Sequence, residues 1–322
     1  MATNDLGAQL TIIELAKRTH NARLLRIAEN LSEVNDFMTD AVWAEANDLT
    51  RNVTTQRIGL PTGTARKINA GIPSEASQTR QQEDDIMMLE SYSKVDAELI
   101  RRAPDSRGFR MSEDMAFIQG MGQTAVGKSF YGNHVTTPEE IHGLANRYNA
   151  LSLANVQDAS GTGSDTMSVW MVKWSVTDGI YLFFPRGSRT GGVTARDLGE
   201  DTVADGASNE YQAFRTFFKI HFGITVRDTR NVQRVANNET AGASNIWDPD
   251  DLIRAKNAMR GNRRGTTIYT NETGKNQMDI QAKDKDNGFY TADNIFGQDT
   301  TMFRTFPVRQ VDQLLTTETA IS

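Results

Sequence analysis

Apolar positions recur with a helical period in some stretches of this chain, alternate in others, and thin out in one long segment between residues 50 and 85. From 10 to 31, Leu10, Ile13, Ala16, Leu24, Ile27 and Leu31 fall among Glu, Lys and Arg, the spacing of an amphipathic docking helix. Residues 32–48 mix Phe37, Met38, Val42 and Trp43 with Asp and Glu without a clean period, which predicts an arm laid on neighbours. The next segment, TRNVTTQRIGLPTGTARKINAGIPSEASQTRQQEDD at 50–85, has too few large apolar residues to fill a core. Gly59-Leu60-Pro61-Thr62-Gly63 is turn chemistry between weakly alternating Thr, Val and Arg, and predicts a long two-stranded excursion. An excursion of that length in a folded chain marks a binding or assembly element.

Helical spacing returns at 112–131, with Met115, Ile118, Met121, Ala125 and Phe130 on one stripe. Ser112 is placed to cap that helix, Glu113 and Asp114 sit in its first turn, and Gly132-Asn133 marks its end. A second helix is expected from Thr137-Pro138-Glu139-Glu140, where Thr caps and Pro takes the first turn. Beyond 160 the texture becomes β. VWMVKW at 169–174 and GIYLFFP at 179–185 read as strands joined by a tight hairpin at Asp178-Gly179, and 211–226 continues in kind. Asp248-Pro249-Asp250-Asp251 opens a helix through about Arg260, and TMFRTFPVRQVDQLL closes on another strand. Helices first and mixed strands later give an α+β protein.

Length and charge narrow the function. The 322 residues exceed the roughly 250–300 at which one core stops growing, so two lobes are expected. Acidic residues outnumber basic ones, 41 to 35, for a net charge of -6, so no basic domain advertises phosphate-backbone binding. The absence of Cys excludes disulfides and thiolate metal sites, and the four His, at 20, 134, 142 and 221, lack metal-ligand spacing. No apolar run reaches the ~18 residues of a membrane span, and MATNDLGAQL lacks the order of a signal peptide.

Several motifs spell chemistry without its setting. Gly122-Gln-Thr-Ala-Val-Gly127-Lys128-Ser129 matches the phosphate-binding loop of nucleoside triphosphatases letter for letter. That loop needs a buried strand before it and a helix starting at its Lys and Ser, whereas here helical spacing precedes Gly122 and Gly132-Asn133 soon follows Ser129. A helix is therefore expected there. DKDNG at 284–288 places Gly288 where a calcium loop needs an oxygen ligand, so a solvated turn is expected. Asp248, Asp250 and Asp251 are explained as caps rather than paired catalysts. Arg260, Arg263 and Arg264 fit a helix C-terminus, with an inter-subunit salt bridge as the second reading. Trp43, Trp170, Trp174 and Trp247 lack the basic interleaving of a nucleic-acid stacking platform and are expected in packing.

Several stretches, in this order and spacing, resemble the tailed-bacteriophage major capsid proteins with the Hong-Kong-97-like fold. They are IGLPTGTARKINAGI at 58–72, LESYSKVDAELI at 89–100, FYGN at 130–133, GLANRYN at 143–149 and VWMVKW at 169–174. GIYLFFPRGSRTGGVTARDLGE at 179–200, FGITVRDTRNVQRVAN at 222–237 and FPVRQVDQLLTTETAI at 306–321 complete the series. The resemblance implies an N-terminal arm at 1–49, an extended loop at 50–95 and a peripheral domain at 96–160 with a spine helix at 112–131. An axial domain with remaining peripheral strands would follow at 161–295, and a C-terminal peripheral strand at 296–322. Gly120, Gly122 and Gly127 would then permit close packing of the spine helix. Near Ala65 the family pattern suggests a bulky residue, where this chain has Gly63 and Ala65.

The implied function is a non-enzymatic shell subunit, without cofactor or metal, assembling as hexamers and pentamers around double-stranded DNA. The implied partners are its own copies, a portal, decoration proteins and DNA contacted non-specifically, with no membrane. Since the chain begins at Met1, a scaffold is expected as a separate protein. The virion is the expected location, after assembly in the host cytoplasm. Arg57, Leu60, Pro61, Arg66, Lys67, Arg263 and Arg264 are the expected inter-subunit contacts. Two alternatives are a cellular nanocompartment shell of the same fold, for which no cargo-docking site is legible, and a nucleotide hydrolase resting on Gly122–Ser129. An arm and loop of this polarity would take their order from partners.

Overall fold

The computed structural model describes residues 19–20, 23–24 and 36–322, apart from 189–192, 206–207, 243, 262, 283–289 and 296–297. Among the described residues the strands begin with β1 Thr19–His20, β2 Arg23–Leu24, β3 Trp43–Glu45, β4 Arg51–Gly59, β5 Gln78–Asp85 and β6 Met87–Asp96. Then come β7 Val156–Asp158, β8 Thr166–Lys173, β9 Ile180–Phe184, β10 Thr194–Ala204, β11 Glu210–Val226 and β12 Val232–Glu239. β13 Thr266–Thr270, β14 Tyr290–Ile295, β15 Gln298–Phe303 and β16 Phe306–Gln310 complete the order. The chain divides into two units. One gathers Met1–Glu33, Met88–Ala125 and Gly192–His221, and the other Val34–Met87, Val126–Gly191 and Phe222–Ser322.

The larger unit is built on a sheet of order β14-β15-β16-β13-β8-β12-β7. β8 is buried along its whole length, which explains its near-continuous apolar sequence. Its alternate residues serve two faces. Val169 and Met171 join Val235, Ile268 and Val308 under Leu252 and Ala255 of the helix Pro249–Ala258 and under Trp247 and Met259, which flank it. Trp170 belongs to an aromatic group with Phe130 and Tyr148, and the Phe130 ring lies 4.8 Å from that of Phe37. Phe37, on a short helix Phe37–Asp40, is wholly buried and also meets Trp174 and Tyr269 edge-on. Complete burial of such a ring is worth about 1.5–3 kcal/mol. Residues 36–48 thus also pack within their own unit, because Phe37 enters its core and Trp43–Glu45 pairs parallel with β9.

In the smaller unit β10 pairs antiparallel with β11, from Thr194↔Lys219 to Ala204↔Glu210, and β6 pairs with β11 as well. The register shifts between Asp197 and Gly199, a bulge that Gly199 makes possible at φ +78°. Val95, Leu99, Ile100, Ala103 and Phe109 form its core with Phe214, and Phe117 stacks on Phe218 at 5.7 Å.

Four local expectations are corrected. The helix expected at 10–31 falls mostly outside the described residues, but β1 and β2 pair antiparallel inside it, so its spacing is not realised at 19–20 and 23–24. The long helix spans Ser106–Tyr131, six residues earlier than Ser112, because Asp105 caps it by accepting from the Gly108 N–H at 2.9 Å. No helix forms at Thr137–Glu140. That stretch closes a single turn, Glu140 N–H to Thr137 O at 3.0 Å, and Gly143 N–H bonds Gly132 O, so the next helix is only Leu144–Arg147. The hairpin at Asp178-Gly179 is also absent. Both edges of β8 are already taken by β12 and β13, so β9 pairs instead with β11 and β3.

Candidate assembly surface

The polar segment forms a ribbon, with β4 and β5 paired antiparallel from Arg51↔Asp85 to Gly59↔Gln78. The register shifts between Arg57 and Gly59, a bulge at Ile58 that bends the outer end. Residues 60–77 form no strand or helix. The local ties within the tip are polar: Glu75 Oε2 accepts from the N–H groups of Thr62 and Gly63 at 2.8 and 3.1 Å, Arg66 donates to Ala70 O at 3.4 Å, and Ala70 N–H bonds Lys67 O at 3.2 Å. Leu60 is 72% exposed and Ile68 91% exposed. Apolar side chains held in water this way gain free energy when a partner covers them.

The expected contact residues separate into three places. Arg57 sits near the outer end of β4, with exposed Leu60 and Pro61 immediately past it. Arg66 and Lys67 are exposed further along the loop. Arg263 and Arg264 follow the helix Pro249–Ala258, and Arg263 donates to the carbonyl of Met259 at that helix's end at 3.5 Å, in keeping with the dipole reading. The structure brings Arg57 and Leu60 into one cleft, whose other lining includes Arg80, Arg227 and Arg230.

The root of the ribbon holds residues that periodicity did not single out. Asn52 and Asp84 face each other across β4 and β5 and are both buried. Asn52 donates to Tyr181 Oη at 2.9 Å and Thr225 Oγ1 at 3.0 Å, while Thr225 donates to Asp84 Oδ2 at 2.9 Å. The Arg147 guanidinium reaches the other Asp84 oxygen at 2.7 Å, and also bonds the carbonyls of His142 and Ile224. A buried carboxylate requires such partners. Their only sequence signal was the alternation that turns Asn52 and Thr54 inward. His134 Nε2 stands 3.4 Å from Asp85, and burial followed by the Arg147 charge holds His142 below the usual imidazole range.

Gly122–Ser129 lies wholly inside the long helix, as its spacing predicted. Peptide N–H groups in a helix interior bond carbonyls four residues back, so they do not converge on a phosphate. Lys128 pairs with Glu140, whose carboxyl this bond holds below its ordinary value. Ideal Cβ atoms on Gly120, Gly122 and Gly127 would meet nothing within 4 Å, so the close packing expected of them is not found among the described residues. Asp248 caps its helix through the Asp250 N–H at 2.9 Å. Trp170, Trp174 and Trp247 are core residues. DKDNG lies outside the described residues, among which no three acidic or His side chains gather as a metal site. No helix there is long and apolar enough to cross a membrane.

A family model described as major capsid protein GP7 matches residues 19–322. Among solved structures, the chain is similar to one from bacteriophage epsilon15, with 28% identity, a TM-score of 0.73, and coverage of 100% of this chain and 99% of that one. A bacteriophage JBD30 capsid chain is 8% identical with a TM-score of 0.48, covering 89% of this chain and 95% of its own. A chain of the SrpI encapsulin complex from Synechococcus elongatus is 7% identical with a TM-score of 0.45, covering 71% and 96%. No curated protein matches.

Proposed function

Because this chain belongs to the major capsid protein GP7 family, we propose that its copies assemble as hexamers and pentamers of an icosahedral shell around double-stranded DNA. Its fold is α+β and Hong-Kong-97-like, its role is that of a phage capsid protein, and its place is the virion. Within that role, residues 1–49 act as an arm, 50–95 as an extended loop, 96–160 and 296–322 as peripheral elements, and 161–295 as the axial domain with further peripheral strands.

The observation that carries this reading is the ribbon β4–β5 and its loop, anchored at the root by buried polar bonds yet holding Leu60, Ile68 and Ile72 in water. Such a rigidly based, apolar-tipped projection suits contact with a neighbouring copy. Arg57, Leu60, Pro61, Arg66 and Lys67 are the contacts of this loop, with Arg263 and Arg264 as a second set. The subunit catalyses nothing and needs no cofactor. A portal, scaffolding and decoration proteins complete the partners, assembly takes place in the host cytoplasm, and a net charge of -6 restricts DNA contact to non-specific proximity.

Electron microscopy of the purified protein tests the reading. Closed particles with five- and six-fold capsomers are expected. Small oligomers alone, with magnesium-dependent ATP turnover, would overturn it.

A further inference from the structure

We propose that the cleft beside the ribbon stem seats an acidic segment from a second copy of this chain. The proposal rests on the assembly reading above and assigns one interface within it. The cleft encloses about 740 Å³ and is lined by Arg57, Arg80, Arg227 and Arg230, with Ile58 and Leu60 at its apolar side.

Its own carboxylates leave most of that charge unmatched. Asp228 is engaged by Arg230, through Nε at 2.9 Å and Nη2 at 2.7 Å. Asp178 is held by Lys173 at 2.6 Å and by Ser175 at 2.8 Å. Arg80 donates to the neutral side-chain oxygen of Gln56 at 3.1 Å, and Arg227 to the carbonyl of Val176 at 3.1 Å. Neither bond cancels a charge. Arg57 is exposed and enters no ion pair among the described residues.

A positive cleft on a chain of net charge -6 is complementary to much of the remaining surface of another copy. Contact between unlike surfaces of identical subunits is the arrangement that builds rings and larger arrays. The lining also discriminates between occupants. A nucleic-acid backbone would meet Asp178 and Asp228 in the same cleft and leave Ile58 and Leu60 uncovered. A peptide carrying carboxylates beside an aliphatic side chain satisfies both halves.

Arginine footprinting with phenylglyoxal, read by mass spectrometry, tests this on unassembled subunits and on particles freed of nucleic acid. Arg57, Arg80 and Arg227 are expected to lose about tenfold or more of their reactivity on assembly, as side chains sealed at an interface do. Unchanged reactivity in well-formed particles overturns the cleft while leaving the assembly reading intact. Failure of the wild-type chain to form particles overturns both. Protection confined to particles that retain nucleic acid assigns the cleft to that ligand and also overturns the proposal.

A second measurement separates a neighbouring copy from a rearrangement within one. Particles of mixed nitrogen-14 and nitrogen-15 chains carrying Arg57→Lys and Arg227→Lys are treated with a carbodiimide, which joins amines to adjacent carboxylates. Crosslinked peptides of hybrid mass are expected at positions 57 or 227. Crosslinks of single isotopic origin alone, such as to Asp228, contradict the proposal. Should that variant not assemble, the wild-type footprint decides.

Discussion

The guanidinium of Arg234 lies 2.8 Å from the carboxylate of Glu318, with 4% and 7% of the two side chains exposed. Ser168 and Tyr131 donate to the same carboxylate, and Arg234 also bonds Ser168 Oγ at 2.9 Å and Tyr148 O at 2.7 Å. The C-terminal segment is thereby fastened to β8 and β12. Glu318→Ala strands a buried charge and is expected to lower stability by about 3–5 kcal/mol, read from urea denaturation of the subunit. Arg234→Met combined with Glu318→Leu removes both charges and should be less destabilising than either single change. A double variant worse than both would show that the hydrogen bonds, rather than the paired charges, hold the tail.

At the ribbon root, Arg147→Ala leaves Asp84 buried with Thr225 but without its cation. The loss is expected to reach up to about 3–5 kcal/mol. Hydrogen exchange should accelerate in residues 51–59 and 78–85 more than in β8. Uniform acceleration across the unit would separate Arg147 from any specific hold on the ribbon.

Lys128→Ala should lower stability by less than about 1 kcal/mol, because its pair with Glu140 is partly exposed. Calorimetry with magnesium-ATP should register no binding heat in either protein. A heat present in the wild type and lost in the variant would contradict the helical reading of Gly122–Ser129.

His142 carries a buried Nδ1 without a hydrogen-bond partner among the described residues, and burial and then Arg147 lower its pKa while Asp84 opposes them. The folded state therefore binds its proton less readily than the unfolded chain. Its contribution to stability is intact above the ordinary imidazole value near 6.5 and is lost as pH falls from there through the lowered value. Urea midpoints at about pH 7.5 and 5.5 should differ more in the wild type than in His142→Gln. Equal differences would assign the acid sensitivity to other groups.

Reversal of the loop charges tests the electrostatic part of assembly. Arg57→Glu, Arg66→Glu and Lys67→Glu together should preserve the circular dichroism spectrum, since all three side chains are exposed. Each exposed pair is worth only about 0–1 kcal/mol, but every interface of a closed shell repeats it. Closed particles should disappear from micrographs of the triple variant. Normal particles would mean that the loop acts through shape or backbone pairing.

By itself the sequence determined those elements whose causes lie within a few residues. The apolar run of β8, the Asp248 cap and the helical spacing across Gly122–Ser129 each express a local preference, and a two-stranded excursion was legible from the lack of core residues, although the return strand begins only at Gln78, well past the turn residues at 59–63. Tertiary structure decided which local options survive. Asp178-Gly179 is competent for a hairpin, but β12 and β13 leave β8 no free edge, and Ser112 is a competent cap superseded by Asp105. It alone decided the buried polar pairings, because Asn52 meets Thr225 across 173 residues and Arg234 meets Glu318 across 84. Neither pairing leaves a period or spacing to read along the chain. Each exists because folding removes water from those groups and their only remaining partners are distant residues brought to the same place.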